Sequence, residues 1–164
     1  MIRKLDDFDI KILDLLQHDA TATMAELSEK TGLSANACWR RIRLLEADGV
    51  IKNRVTLLDP QKIGLGITVF VCIRCAEHSQ DWLDNFLQIV NESPEVIEFY
   101  RLAGDIDYLL KLQVASISEY DRLYKKLVSR VKLTDVSAIF SMEELKHSTI
   151  LPLPETSDKA ERKA

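Results

Sequence analysis

Apolar residues recur with a helical period through the first third of the chain. The first apolar stripe comprises Phe8, Ile12, Leu15 and Leu16. It predicts a helix over residues 5–18, and Asp6 or Asp7 can cap the positive end of that helix. Residues 24–51 hold two further amphipathic stretches, which a tight turn at Gly32 separates. This order of elements predicts a helix-turn-helix on a small three-helix bundle.

The second helix of the predicted motif has two faces of different chemistry. Gly32 suits the left-handed backbone that ends the preceding helix, and Ser34 suits the N-cap of the next one. From Ser34 onward, Cys38, Ile42 and Leu45 fall on one side at helical spacing, which predicts a buried face. The other side is polar and basic, so it is available to a partner.

The polar side carries groups that suit a DNA duplex. Its residues include Ser34, Ala35, Asn36, Trp39, Arg40, Arg41 and Arg43, and Arg54 follows in the next segment. Amides and guanidinium groups read base edges, and guanidinium groups also bind phosphate. We therefore predict base contacts from Asn36, Arg40 and Trp39, and phosphate contacts from Arg41, Arg43 and Arg54. The simpler alternative is a solvated helix face, because charge on an exposed surface is common.

A second pattern begins after a proline. The β-prone pieces at residues 50–52 and 55–57 resemble a small wing, and Asp59-Pro60 marks a boundary. Residues 67–73, 96–102, 108–114 and 136–140 then read as strands, with helical stripes after the first and third. Ser118 is the expected cap of the second of these helices, and residues 149–153 are expected to add a short strand. The order βαββαβ is typical of a ferredoxin-like sheet with both helices on one face.

These elements predict an α+β protein. We expect a winged helix-turn-helix domain at 1–58, a linker at 59–66, a ferredoxin-like domain at 67–153 and a disordered tail at 154–164. The helix-free face of the sheet needs a cover, and a second copy of the chain is the simplest one. A homodimer that assembles into tetramers or octamers is therefore expected.

Charge and composition fit this division. The chain has 164 residues and a net charge of −4, but residues 34–54 contain five basic and only two acidic residues. A basic segment in an acidic protein confines any DNA contact to the first domain. No apolar run is long enough to span a bilayer, so we expect a cytoplasmic protein without membrane contact.

The sequence offers no catalytic or cofactor motif. It lacks a phosphate-binding loop, a nucleophile elbow and a dinucleotide-binding turn, so we expect neither an enzyme nor a cofactor. Cys72, Cys75 and His78 have a spacing that could suggest zinc. Residues three apart on a strand point to opposite faces, which argues against such a metal site.

Taken together, these motifs resemble those of the leucine-responsive and asparagine-sensing regulators, the Lrp/AsnC family. The resemblance covers residues 5–153 and includes the segment from Ser34 to Ile51, the linker Asp59-Pro60...Ile63-Gly64-Leu65-Gly66 and the acidic turn Gly104-Asp105-Ile106-Asp107-Tyr108. Three further segments resemble the subgroup that regulates cysteine detoxification. They are Cys38-Trp39-Arg40-Arg41, His78-Ser79-Gln80-Asp81-Trp82 and Phe140-Ser141-Met142-Glu143.

The resemblance implies a transcriptional regulator that senses a small amino acid. Cysteine is favoured as the effector through the subgroup, with leucine or methionine as alternatives. Asp105 or Asp107 would accept the ammonium group, and backbone N–H groups around Ala103 and Gly104 would bind the carboxylate. Tyr108 would form a wall of the pocket.

Ser137 is a further candidate for the effector site. The family usually has threonines near the start of the last strand, whereas this chain has Val136 and Ala138 on either side of Ser137; it also has Lys132 where the family often has glycine. Without the resemblance, the spacing favours an ordinary hairpin turn at Gly104-Asp105, where both residues are common for conformational reasons.

A different class of function stays open: a metabolite-binding module or enzyme subunit whose basic helix contacts protein. Binding to double-stranded DNA would distinguish the two classes, because it weakens steeply with salt.

Overall fold

The computed structural model describes residues 4–75 and 79–154, and within them it contains five helices and four strands. The helices are α1 (Asp7–His18), α2 (Met24–Thr31), α3 (Ala35–Ala47), α4 (Gln80–Asn91) and α5 (Ile117–Arg130). The strands are β1 (Ile67–Arg74), β2 (Val96–Arg101), β3 (Tyr108–Val114) and β4 (Asp135–Phe140). No helix in the described ranges is long and apolar enough to cross a membrane.

The chain folds as two compact units. Among the described residues, the helical unit contains residues 4–56 and 146–154, and the sheet unit contains residues 57–75 and 79–145. The predicted tail, apart from Pro154, lies outside the described residues, as does His78.

Side chains fix the ends of the helices in the helical unit. Asp6 caps α1 and Thr23 caps α2, each within a reciprocal capping box. Gly32 follows α2 with a φ of 76°, the left-handed conformation that the sequence predicted. Ser34 then caps α3 by accepting the Ala37 N–H at 3.2 Å.

One apolar core joins the three helices. Its fully or almost fully buried members are Ile12, Leu16, Leu27, Cys38, Ile42 and Leu45. Burying a leucine or isoleucine side chain stabilises a fold by about 1.5–3 kcal/mol. The predicted inner face of α3 is therefore confirmed.

Three predicted β segments are not strands. The pieces at residues 50–52 and 55–57 form no strand, and an isolated two-stranded hairpin is marginal in water. Residues 149–153 also remain outside the sheet. Leu151 instead exchanges two hydrogen bonds with the Gln17 side chain of α1, at 3.1 and 3.0 Å.

The sheet unit has the predicted βαββαβ order. Its four strands lie in the order β2-β3-β1-β4, and every neighbouring pair is antiparallel. The helix α5 begins after Ser116 rather than after Ser118, because the Ser116 hydroxyl accepts the Glu119 N–H.

The two faces of the sheet differ in burial. Alternate residues of the central strands, such as Val71 on β1 and Leu110 on β3, are buried under the helices together with Phe86 of α4. The opposite face, which we call the open face, carries Phe70, Cys72, Tyr100, Leu109, Lys111, Ser137 and Ile139. Tyr100 and Ile139 are about half exposed there, at 48% and 56%.

Candidate DNA interface and effector site

The outer face of α3 is assembled as the sequence predicts. The cap at Ser34 and the buried inner face orient the helix, so that Asn36, Trp39, Arg40 and Arg43 are exposed. Trp39 is 52% exposed, which is unusual for a large aromatic side chain. This face presents an amide, an indole and two guanidinium groups to solvent.

Two of the predicted phosphate ligands are held loosely. Arg43 and Arg54 contact Glu46 at 3.4 and 3.3 Å, and the side chains of the two arginines are 67% and 37% exposed. Exposed pairs of this kind contribute only about 0–1 kcal/mol. Both guanidinium groups can therefore exchange the carboxylate for a phosphate at low cost.

Arg41 lies elsewhere. Its Nη1 donates to Asp6 at 2.9 and 2.8 Å and to Asp9 at 2.7 Å, and its side chain is only 26% exposed. Burial alone would lower the pKa of Arg41, but the hydrogen bonds and charges of Asp6 and Asp9 outweigh it and raise that pKa. Burial alone would raise the pKa of Asp6, but the hydrogen bond from the Asp9 backbone N–H, followed by the hydrogen bond and charge of Arg41, lowers it. Arg41 faces α1, and its position does not support the predicted phosphate contact.

The acidic turn before β3 is fastened to the end of β1. Asp107 accepts the Cys75 N–H through Oδ2 at 2.8 Å and donates its own N–H to the Ile73 carbonyl at 2.9 Å. Burial, together with the charge and hydrogen bond of Asp107, raises the pKa of the Cys75 thiol. Asp105, Gly104 and Ala103 are exposed. The two carboxylates that the sequence grouped thus have different surroundings.

The predicted role of Tyr108 as a pocket wall is wrong for its side chain. Tyr108 is 1% exposed and stacks against Trp82 and Phe99, with 5.5 Å between ring centroids in each case. The reason is strand parity: Tyr108 shares a side of β3 with Leu110, and that side packs under the helices. Ser137 is exposed on the open face, opposite Cys72 of β1.

A surface cavity of about 620 Å³, which was not predicted, lies beside α5 and the start of β4. It is lined by Tyr124, Val128, Val131, Lys132, Leu133, Thr134, Asp135 and Val136. The signal available in the sequence was the presence of two charged residues, Lys132 and Asp135, within an otherwise mostly apolar segment. None of the predicted effector residues lines this cavity.

Side chains that could ligate a metal ion are dispersed in the described part of the chain. Across residues 4–75 and 79–154, no three acidic, histidine or cysteine side chains are grouped to hold an ion. Cys72 lies on the open face and Cys75 is buried beside Asp107. The third member of the string, His78, is not among the described residues.

Comparisons with known proteins place these two units in one family. The sequence profile of the Lrp/AsnC ligand binding domain matches residues 68–151, and a winged helix-turn-helix DNA-binding profile matches residues 5–52. The DNA-binding transcriptional activator DecR of Escherichia coli strain K12 is 47% identical over 150 residues, which cover 91% of this chain and 99% of DecR. The chain belongs to the Lrp/AsnC family.

Solved structures agree with this Lrp/AsnC assignment. The AsnC family transcriptional regulator of Agrobacterium tumefaciens superposes with a TM-score of 0.85 at 51% identity, covering 90% of this chain and 97% of that one. A Neisseria meningitidis regulator, solved as a complex with L-Met, gives a TM-score of 0.85 at 33% identity, covering 91% and 97%. The leucine-responsive regulatory protein of Haemophilus influenzae is 34% identical, over 92% of each chain.

The Lrp/AsnC assignment confirms the predicted fold class and the general function. The protein is a DNA-binding transcriptional regulator with a winged helix-turn-helix and a ligand-binding domain. Its named relatives are transcriptional regulators, in agreement with the expectation that it is not an enzyme.

Proposed function

We propose that α3 enters the major groove of double-stranded DNA in the cytoplasm, with Asn36, Arg40 and Trp39 at base edges. Arg43 and Arg54 contact phosphates on either side of the groove. The observation that carries this proposal is the solvent-facing set of polar and aromatic side chains on a helix whose other face is fully buried. Ser34 and Ala35 lie at the helix start, where backbone N–H groups point toward a phosphate.

Selection from a random-sequence duplex pool with the full-length protein provides a binding site, and fluorescence anisotropy then measures affinity. The R40A variant is expected to lose about 1–3 kcal/mol on the selected site and to discriminate less between bases. The R43A variant is expected to weaken selected and scrambled duplexes alike. The matched control is R122A, which removes an exposed arginine from α5 in the sheet unit and leaves binding unchanged.

Salt dependence separates this function from the alternative of a module that contacts protein. Phosphate contacts release counterions, so the logarithm of the DNA association constant falls linearly with the logarithm of salt concentration. A shallow slope, or an R40A variant that binds the selected site as the wild type does, contradicts the proposal.

We propose further that a small free amino acid modulates DNA binding, with cysteine favoured over leucine and methionine. The support is the match to the family's ligand-binding domain and the subgroup segments in the sequence. Asp105 provides an exposed carboxylate for the ammonium group, and the backbone at Ala103 and Gly104 provides donors for the carboxylate. Asp107 shapes the turn through Cys75, and Ser137 completes the site from β4.

Calorimetric titration of the full chain with cysteine under reducing conditions, leucine and methionine tests the effector. Cysteine is expected to bind most tightly, and D105A is expected to abolish the heat of binding. The control is D84A, which removes an exposed carboxylate from α4. Wild-type affinity in D105A places the site elsewhere, with the cavity beside Lys132 and Asp135 as the next location to examine.

The open face of the sheet is proposed as the homodimer interface, and dimers assemble further into tetramers or octamers. Partly exposed Phe70, Leu109, Tyr100 and Ile139 give this face its apolar character. Two-fold pairing presents two α3 helices to half-sites about 34 Å apart or a multiple of it.

Sedimentation velocity at micromolar concentration measures this assembly. Introducing like charges with I139E is expected to shift the protein toward monomer. The control is I117E, which alters an equally apolar residue on α5 that is 66% exposed. A wild-type monomer, or an unchanged I139E oligomer, contradicts the proposed interface.

A further inference from the structure

A buried carboxylate lies within the first turn of α1. The side chain of Asp9 is only 2% exposed. It carries an acidic group in the helical unit, which is proposed to bind the polyanion DNA. An ionised carboxylate is costly to bury unless it is paired and hydrogen-bonded. Its charged partner among the described contacts is Arg41 of α3, 32 residues later in sequence, with 2.7 Å between Oδ1 and Nη1.

The same guanidinium nitrogen also reaches the cap of α1. Arg41 Nη1 donates to both oxygens of Asp6, while Asp6 Oδ1 accepts the Asp9 N–H at 2.8 Å. The guanidinium carbon lies 5.4 Å from the centroid of the Phe8 ring, within range of a cation–π contact. One arginine of the proposed recognition helix is thereby joined to the first turn of the neighbouring helix.

We propose that Asp9 is a positioning residue for DNA recognition, which holds Arg41 and with it α3 at a fixed orientation against α1. This inference rests on the proposed placement of α3 in the major groove. Arg41 makes no phosphate contact in this arrangement, although it lies between Arg40 and Arg43 in a basic segment.

The contacts favour positioning over a direct DNA contact. Arg41 would have to abandon charge-assisted hydrogen bonds to reach a phosphate, and Asp9 would then be a buried charge deprived of its arginine. Arg43 has no such obstacle, since it forms an exposed pair with Glu46 at 3.4 Å. Of the three arginines close together on α3, Arg40 and Arg43 thus contact DNA, and Arg41 fixes the orientation of the helix.

Replacing Asp9 by a neutral residue changes DNA affinity in opposite directions, depending on whether the carboxylate acts through its electrostatic field or through its contact with Arg41. Removing a negative charge close to DNA strengthens binding if only the electrostatic field matters. Removing a positioning contact weakens binding, because the orientation of α3 is no longer fixed. The sign of the change in D9N therefore decides between them.

The experiment measures anisotropy of the full chain on a selected duplex and on a scrambled duplex over a range of salt concentrations. Roughly 3- to 30-fold weaker binding to the selected site is expected for D9N and for R41Q, with a smaller loss on the scrambled duplex. The double variant D9N/R41Q is expected to lose no more than R41Q alone, because R41Q already removes the contact with Asp9 together with those to Asp6. The charge control is D14N, which neutralises an exposed carboxylate on α1 and is expected not to weaken binding.

The salt slope provides a readout that distinguishes positioning from phosphate binding. R43Q is expected to lower the slope by about 0.9, the value for one lost phosphate contact, whereas D9N and R41Q keep the wild-type slope. The double variant contains no unpaired member of the Asp9–Arg41 pair, so it carries the test if D9N alone does not fold. Wild-type or tighter binding by D9N, or by the double variant in its place, overturns the inference, and so does a slope in R41Q reduced as in R43Q. Failure of all variants and the wild type to show a salt-dependent slope refutes the proposed DNA interface instead.

Discussion

The hydrogen bond between Asp107 and the Cys75 N–H is expected to stabilise the sheet unit independently of any ligand. The donor belongs to a residue that is 7% exposed, and the acceptor is a carboxylate at 2.8 Å. Leaving such a donor without its charged partner costs about 1.5–3 kcal/mol. D107A is therefore expected to lower the free energy of unfolding by that amount, and D107N by about half as much, because an amide oxygen still accepts.

Urea denaturation with tryptophan fluorescence measures this change. The chain has two tryptophans, and the W39F background leaves Trp82, which is buried against Tyr108 in the sheet unit, as the reporter. The control is D105A, which alters an exposed carboxylate two residues away and is expected to change stability by less than about 0.5 kcal/mol.

Two outcomes would refute this reasoning. If D107A unfolds at the urea concentration of its W39F parent, the bond to Cys75 has no net stabilising effect. If D105A is as unstable as D107A, the turn as a whole, rather than one carboxylate, fastens the sheet end. With the expected order, loss of effector binding in D105A but not in D107N would assign the ligand contact to Asp105.

Three further predictions concern stability. G32A is expected to destabilise the helical unit by about 1–2 kcal/mol, because φ is 76° and an added Cβ meets no atom within 4 Å, so that the cost is conformational alone; unchanged thermal unfolding by circular dichroism contradicts this. The pKa of Asp6 is lower in the folded state, so the ionised carboxylate stabilises the fold fully above the unfolded pKa of about 3.9, and this stabilisation is lost as pH falls through the lower folded pKa. D6N is expected to remove this contribution to the pH dependence of stability, as measured by acid titration. A D6N profile parallel to that of the wild type would show that other groups cause the pH dependence. F86A is expected to cost about 3–5 kcal/mol in the sheet unit, where Phe86 is fully buried, as measured by urea denaturation; a loss below 1 kcal/mol would show that the core collapses around the cavity.

Local chemistry made much of the fold predictable. The left-handed glycine at Gly32 and the cap at Ser34 depend on a few neighbouring residues, so the sequence states them directly. The inner face of α3 and the strand at Tyr108–Val114 follow from periodicities of 3.6 and 2 residues. The two-residue period of the strand also explains why Tyr108 is buried. Tyr108 and Leu110 lie on the same side of β3, and that side packs under the helices.

Contacts between distant residues limited the prediction of the site. Arg41 lies beside the buried stripe of α3, but nothing near it in sequence identifies Asp9 as its partner. The link from Asp107 to Cys75 likewise spans 32 residues and depends on the pairing of β3 with β1. The apolar pattern of residues 149–153 suits a strand, but a strand also needs a neighbouring strand to form backbone hydrogen bonds. The backbone of Leu151 instead forms hydrogen bonds with the Gln17 side chain.

The return of the chain from Lys146 to the helical unit makes that unit discontinuous in sequence. During synthesis, α1 leaves the ribosome long before Leu151, so the contact of Gln17 with Leu151 forms only after the whole sheet unit has been translated. A gene fragment that stops at Thr56 encodes all three helices but omits this last contact. A protein fused after Pro154 would likewise be joined through a segment of the helical unit, beside the helix that α3 packs against, and not through the ligand-binding sheet.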